Sequence, residues 1–154
     1  MILPVITTPD PFLKERSKEI TKEQLQSKEI QEFCDTMIET MQVECGIGLA
    51  APQIGKHWRI IAVTRDGVPE IFANPEITKR SLRKVKNEEG CLSVPTLTGI
   101  VQRPRAITLK ALDRNGEDMT IETDTFDAII FQHEIDHLDG ILFTDRAQKI
   151  MPIE

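Results

Sequence analysis

Cysteine is scarce. The three in 154 residues, Cys34, Cys45 and Cys91, are an odd set that argues against a disulfide framework and for a reducing compartment, where a thiol stays available as a thiolate ligand. Long apolar runs are missing too. The opening MILPVITTPDPFLKER has no stretch long enough for a signal peptide, and nothing later is long enough to span a bilayer, so we read a soluble, cytoplasmic protein with no membrane contact. No long basic run offsets the net charge of −6, so a general affinity for nucleic acid is not expected. Repeats and low-complexity linkers are also absent. The chain therefore reads as a single domain, 1–154, long enough to bury a real core.

Histidine is as rare as cysteine, which makes its placement informative. Of the three, His133 and His137 stand four apart within residues 123–140, TDTFDAIIFQHEIDHLDG. Phe126, Ile129, Ile130, His133 and His137 recur at the offsets of one stripe, so the segment reads as an amphipathic helix with both imidazoles on its inward face. Side by side one turn apart, they can reach a single metal ion, while Glu134, one position round, borders the same open site. This is His-Glu-x-x-His, two ligands and a general base. The competing reading is a pair of core histidines satisfied by ordinary hydrogen bonds; with so few histidines in the chain, the five-residue pattern favours the metal.

The remaining chain supplies the scaffold. Prolines at 4, 9 and 11 make the first 25 residues a surface loop with one short helix, capped by Asp10 ahead of Pro11. From 27 to 43, Ile30, Phe33, Cys34, Met37, Ile38 and Met41 recur at helical spacing, with Gly46 placed to close the end; the methionines and Cys34 are core filling. GIGLAAPQIG, residues 46–55, fits neither helix nor strand. Its small side chains bare the backbone for close approach, Gln53 is displayed from the loop, and the absence of Gly-Lys-Ser/Thr excludes a phosphate loop. Strands follow at 59–64, at 71–73, 76–81 and 83–88 with Asn74-Pro75 as punctuation, and at 106–112 and 119–122 around an Asn115-Gly116 turn. The class is α+β: antiparallel or mixed sheets packed around a central His-Glu-x-x-His helix, with a second amphipathic helix. His57, beside Trp58, reads as a surface or packing residue.

A catalytic site needs a third protein ligand and a position left for water. Only 17 residues follow His137, none of them histidine, and Glu154 is the last, so candidates lie upstream. Cys91 in EEGCLSVP is the best of them: Gly90 bares the backbone beside it, and the segment ends a strand run before Pro95 breaks it. The alternative is a small buried hydrophobe.

Three stretches now carry a resemblance. GIGLAAPQ at 46–53, EGCLS at 89–93 and QHEIDH at 132–137 resemble the signature motifs of peptide deformylase, in the family's order, and RIIAV, FANPEI and ALDRNG extend the similarity over nearly the whole chain. The resemblance implies a metal-dependent hydrolase that removes the N-formyl group from the formylmethionine of newly made proteins. It implies that Cys91, His133 and His137 bind one divalent metal, that Glu134 is the catalytic acid/base, and that the Gln53 amide and the Leu92 backbone N–H stabilise the oxyanion. Fe²⁺ is implied as the working metal, with Zn²⁺, Ni²⁺ or Co²⁺ as substitutes. The nascent peptide would lie as an added strand along Gly46, Ile47, Gly48 and Gly90, with Ile47, Leu92 and Ile129 as candidates for the methionine pocket. Glu89 with Arg103, and Asp136, are candidates for supporting groups that hold the Cys91 loop and orient a ligand.

That chemistry suits the residue types. Coordination lowers the pKa of a bound water to about 7. Glu134 then takes a proton as the formyl carbon is attacked and returns it to the departing amine. Fixed donors in a dry site stabilise the charge on oxygen, each worth on the order of a hundred- to a thousandfold in rate.

Two departures bear on specificity and partners. Thr96, Leu97 and Thr98 stand where many members carry Gly or a charged or polar residue. The chain also stops at RAQKIMPIE, a short form without the long basic C-terminal helix implicated in ribosome docking, so docking is not assumed and a monomer is expected. Two alternatives remain open: a zinc endopeptidase of the His-Glu-x-x-His type, which has no role for Cys91 and Gln53, and an inactive protein that holds formylated peptides, which has none for Glu134.

Overall fold

The proline-rich opening reaches its first regular turn at Pro11–Lys14, where Asp10 accepts from the Phe12 N–H at 2.9 Å. The computed structural model describes residues 1–153. Helix α1 (Lys22–Leu25) is a single turn that the sequence reading folds into the opening loop; it is closed by a capping box between Thr21 and Gln24. Helix α2 (Lys28–Val43) starts on Ser27 and buries Ile30, Phe33, Cys34, Met37 and Met41. Its end is not made by Gly46. Cys45 takes the left-handed position at φ 57°, its N–H bonds to the Gln42 carbonyl at 3.1 Å, and the Gly46 N–H bonds to the Met41 carbonyl at 2.9 Å, which is the Schellman pattern shifted one residue earlier.

Among the described residues eight strands follow: β1 (Gly48–Ala50), β2 (Ile60–Arg65), β3 (Val68–Arg80), β4 (Lys84–Cys91), β5 (Val94–Pro104), β6 (Ile107–Leu112), β7 (Asp118–Thr123) and β8 (Lys149–Pro152). They form a five-stranded sheet, β1-β2-β3-β6-β7, and a three-stranded sheet, β4-β5-β8, both antiparallel. Helix α3 (Phe126–Leu138) lies against β1 and β2 and touches β5, and a last turn, α4 (Phe143–Arg146), packs on β4 and β5.

Burial explains the apolar run in β2. Ile60 and Ala62 join the cluster with Phe33, Met37 and Met41 of α2, while Ile61 and Val63 join Ala128, Phe131 and Ile135 of α3. Both faces of the strand are covered by helices, so alternation disappears and four consecutive residues are buried.

Three expectations change on folding. Residues 46–55 are not a bare loop: Gly48–Ala50 pair with β2, and Ala51–Ile54 wind a 3-10 turn ended by Gly55 at φ 99°. Asn74-Pro75 does not separate two strands. Asn74 sits at φ 49° in a bulge inside β3, and its amide clasps the Ile20 N–H and carbonyl, so the strand bends and continues. Pro95 lies inside β5, in the irregular stretch between the Glu89/Gly99 and Cys91/Val94 pairs where the ladder is already broken.

Candidate active site

Helix α3 is shorter than the stripe suggests, since Thr123 belongs to β7 and the helix begins after its cap, Thr125. Its C-terminus closes on Gly140 at φ 74°, with the Ile141 N–H reaching the Asp136 carbonyl at 2.9 Å. This fixes His133 and His137 one turn apart beneath the last residue of β4, Cys91. The hairpin turns back through Leu92 and Ser93, so that Cys91 pairs with Val94.

One ligand atom each from Cys91, His133 and His137 lies within 4.8 Å of the others, and Cys91 Sγ is 3.2 Å from His137 Nε2. For a tetrahedral ion with the usual Zn–S and Zn–N lengths, sulfur and nitrogen stand about 3.5 Å apart, so the spacing and the donor set fit a divalent metal. A carboxylate positions one ring. His133 Nδ1 is 2.8 Å from Glu89 Oε1, and because a carboxylate only accepts, the proton sits on Nδ1 and Nε2 offers its lone pair. Without an ion the two rings are driven apart in basicity. Burial lowers His133, but hydrogen bonds to Cys91 and Glu89 outweigh it and hold the ring well above its ordinary value. Burial, then the charges of His133 and Arg103, push His137 well below.

Glu134 shares the cleft. Burial raises its carboxyl to about 7, with the charges of His133 and Glu89 acting in opposite directions, and Oε1 has no hydrogen-bond partner among the described residues. Its other oxygen explains a glycine: a Cβ at Gly48 would stand 2.5 Å from Glu134 Oε2. Any side chain on β1 there would evict the carboxylate.

Gln53 is not displayed in the open. It is 2% exposed; its Oε1 accepts from the Ala50 N–H at 2.9 Å, and its Nε2 donates to Ser93 Oγ at 3.1 Å and lies 3.6 Å from Cys91 Sγ. Behind the metal ligands runs a chain of alternating charge. Arg103 grips Glu89 with Nε at 2.6 Å and Nη2 at 3.0 Å and reaches Asp136 with Nη1 at 2.8 Å. Arg146 of α4 then clamps Asp136 at 2.7 and 3.0 Å. Glu89 thus has two tasks, and its carboxyl is held below the ordinary range: burial opposes this, and the bonds from His133 and Arg103 overcome it.

A cleft of about 550 Å³ opens on these groups, lined by Gly46, Ile47, Gly48, Gln53, Glu89, Gly90, Cys91, Leu92, Ile129, His133 and Glu134. Glu44, Cys45, Glu88, Pro95, Phe126, Ile130 and Ile153 line it as well. Of these, Ile153 is foretold by no motif, because β8 brings it alongside Thr96, whose carbonyl accepts its N–H at 2.9 Å. Arg146 escapes notice for the same reason, while Ser93 stands inside EGCLS and would have been found by asking what a buried Gln53 amide donates to. His57 lies away from the cleft, stacked on Phe12 at 3.7 Å.

A sequence model described as polypeptide deformylase matches residues 2–152. The peptide deformylase of Agrobacterium fabrum is 44% identical over 154 residues, covering 97% of this chain and 89% of that protein. Among solved structures, peptide deformylase from Thermotoga maritima superposes with a TM-score of 0.92 at 34% identity, over 97% of this chain and 99% of that one. A Met-Ala-Ser bound class I type b peptide deformylase from Acinetobacter baumannii gives 0.89 at 35%, over 95% and 98%.

Proposed function

The chain belongs to the peptide deformylase family, a metal-dependent hydrolase acting on the N-formyl group of nascent peptides, and from that premise we propose how its own residues divide the work. Cys91, His133 and His137 hold the ion, which we take to be Fe²⁺, with Zn²⁺, Ni²⁺ or Co²⁺ able to replace it; a thiolate with two imidazoles suits this set. When bound, the ion supplies a Lewis acid that lowers the pKa of a water to about 7. Glu134, unpaired at Oε1, accepts the proton of the water that attacks the formyl carbon and delivers it to the departing amine, leaving formate and a free N-terminus.

Gln53 carries two amide hydrogens. Ser93 Oγ takes one; the other leans on Cys91 Sγ at 3.6 Å, a weak acceptor, and turns from it, with the Leu92 N–H, to the formyl oxygen as that oxygen gains charge. The peptide lies between two free sheet edges, since β1 is the outer strand of one sheet and β4 of the other, with Gly46, Ile47 and Gly48 on one side and Gly90 on the other. Ile47, Leu92 and Ile129 receive the methionine side chain. Glu89, Arg103 and Asp136 keep His133 and the Cys91 strand in register. No helix is long and apolar enough to cross a membrane. We read one catalytic unit over 1–154, monomeric and working in the cytoplasm.

The convergence of Cys91 with His133 and His137 beside Glu134 carries this reading. An anaerobic assay on formyl-Met-Ala-Ser, with metal content measured on the same sample, tests it. One ion per chain and release of formate are expected; formate release that persists in Cys91→Ser with no bound ion would overturn it.

A further inference from the structure

Net charge is an average, and the fold concentrates the cations. Residues 79–86, KRSLRKVK, hold five basic side chains and no acidic one in a chain of net charge −6. They lie where the chain passes from the five-stranded to the three-stranded sheet, and the return crossing from β5 to β6 runs beside them. Three hydrogen bonds lace the two crossings, Ser81 N–H to the Ala106 carbonyl at 2.9 Å, Arg105 N–H to the Arg83 carbonyl at 3.0 Å and Ala106 N–H to Ser81 Oγ at 3.1 Å, and Ser81 Oγ braces the first crossing by donating to the Arg83 carbonyl at 2.7 Å. The corner is therefore built rather than loose. It presents Lys79, Arg80, Arg83, Lys84, Lys86 and Arg105 to solvent, with Leu82 fully exposed at its tip.

Elsewhere arginines are spoken for: Arg59 by Asp139, Arg65 by Glu70, Arg103 by Glu89, Arg114 by Asp35 and Arg146 by Asp136. At the corner no cation forms an ion pair among the described residues. Glu122 and Asp124 border a shallow depression beside Lys79 and Arg80 without pairing with them. We propose that this corner docks on the phosphate backbone of RNA. An anionic lipid surface needs an apolar face to insert, and Leu82 is alone there. An acidic protein partner needs a cluster of aromatic or aliphatic anchors, and the corner offers Leu82 alone. Phosphate asks only for exposed, unpaired cations held in a fixed array. Substrates of this enzyme are nascent chains, made on an RNA-rich particle, so such a contact raises the local concentration of formylated N-termini.

Fluorescence anisotropy of a labelled RNA hairpin titrated with the whole chain, repeated over a salt series, reads it directly. Binding on the order of 1–100 μM at low salt is expected, with log K falling linearly against log salt. The combined variant Arg80→Ala, Arg83→Ala, Lys84→Ala, Arg105→Ala should bind at least about tenfold more weakly and lose about 3 from the slope, while formyl-Met-Ala-Ser turnover stays unchanged. Lys56→Ala with Lys149→Ala, away from the corner, should change neither. If the fourfold variant does not fold, Arg83→Ala and Lys84→Ala are read singly, each lowering the slope by about 1. Absence of RNA binding at low salt, an unchanged slope in the corner variants, or equal affinity for phosphatidylglycerol vesicles or polyglutamate would overturn the proposal.

Discussion

Helices α2 and α3 cover opposite faces of one sheet, and they bury different things. On α2 the hidden stripe is Ile30, Phe33, Cys34, Met37 and Met41, with one buried polar residue, Thr40, whose hydroxyl takes the Leu3 N–H; on α3 it includes Gln132, Glu134, Asp136 and His137 among the aliphatics. The apolar stripe needs nothing beyond close packing. Each polar group on α3 needs a partner, and buried atoms left without one cost about 1–3 kcal/mol apiece. Gln132 finds the Pro104 carbonyl and Asp136 finds two arginines, whereas Glu134 Oε1 and His137 Nδ1 find none among the described residues. One helix holds the fold together. The other gives up stability to buried polar atoms that have no partner among the described residues.

The strongest test of that contrast is Glu134→Gln, which keeps the size of the side chain and removes its base. Turnover of formyl-Met-Ala-Ser should fall by about 10²–10⁴-fold with ion content unchanged. Loss of the ion, or retained turnover, would mean that α3 is ordinary scaffold at that position.

Next comes the buried charge chain behind the ligands. Arg103→Met takes from Glu89 its paired cation and leaves Asp136 to Arg146 alone, which should cost about 3–5 kcal/mol in urea unfolding. Because Glu89 also orients His133, ion affinity should drop about 10–100-fold, as read by chelator competition. On α2 the matching change, Lys28→Met, breaks an exposed pair with Glu32 at 3.8 Å and should stay within about 0.5 kcal/mol of zero.

These elements differ in how far they could be read in advance. The His-Glu-x-x-His stripe and the α2 stripe depend on local periodicity, so residue spacing alone reveals them. Cys91 is legible from the residues only as the best upstream candidate, and the resemblance makes it a ligand, because nothing local says that the end of one strand meets a helix 42 positions later. The pairing of Arg103 with Glu89 is a guess that opposite charges invite, but the second arginine on Asp136, Arg146, arrives through α4, which no pattern announces. β5 was missed because Pro95 looked like a stop, and its neighbours on both sides, β4 and β8, are what make a strand there. The small neighbours of Gln53 suggest open space, but backbone and Ser93 close over it.

The two helices also bury different titrations. Burial on α2 pushes the Cys34 thiol from 9.0 to about 11, with Arg114 and Asp35 acting against each other. A raised folded pKa means that the folded chain holds the proton more tightly than the unfolded one. Stability contributed by the neutral thiol is therefore complete below about pH 9 and is lost as the pH climbs from 9 toward 11. Urea unfolding at several pH values should show this decline in the wild type and less of it in Cys34→Ala. An identical decline in both would assign it to other groups.

The smallest effects come from how each helix ends. Gly140 closes α3 at φ 74°, and a Cβ there would run into the Lys14 backbone; Gly140→Ala should cost at least about 1–2 kcal/mol. Cys45 does the same job for α2 at φ 57°, but with a side chain that the left-handed region disfavours. Cys45→Gly relieves that strain while giving the unfolded chain more freedom to lose, and the two effects oppose each other. Strain is the larger, so a gain of about 0.5–1 kcal/mol in urea unfolding is expected. Cys45 also lines the cleft, which makes the sign informative in both directions. If Cys45→Gly stabilises the chain and leaves formyl-Met-Ala-Ser turnover alone, the residue is a costly cap and nothing more. If it stabilises and slows turnover, the strain at the end of α2 is holding the Gly46–Gly48 edge in the position the proposed peptide pairing requires.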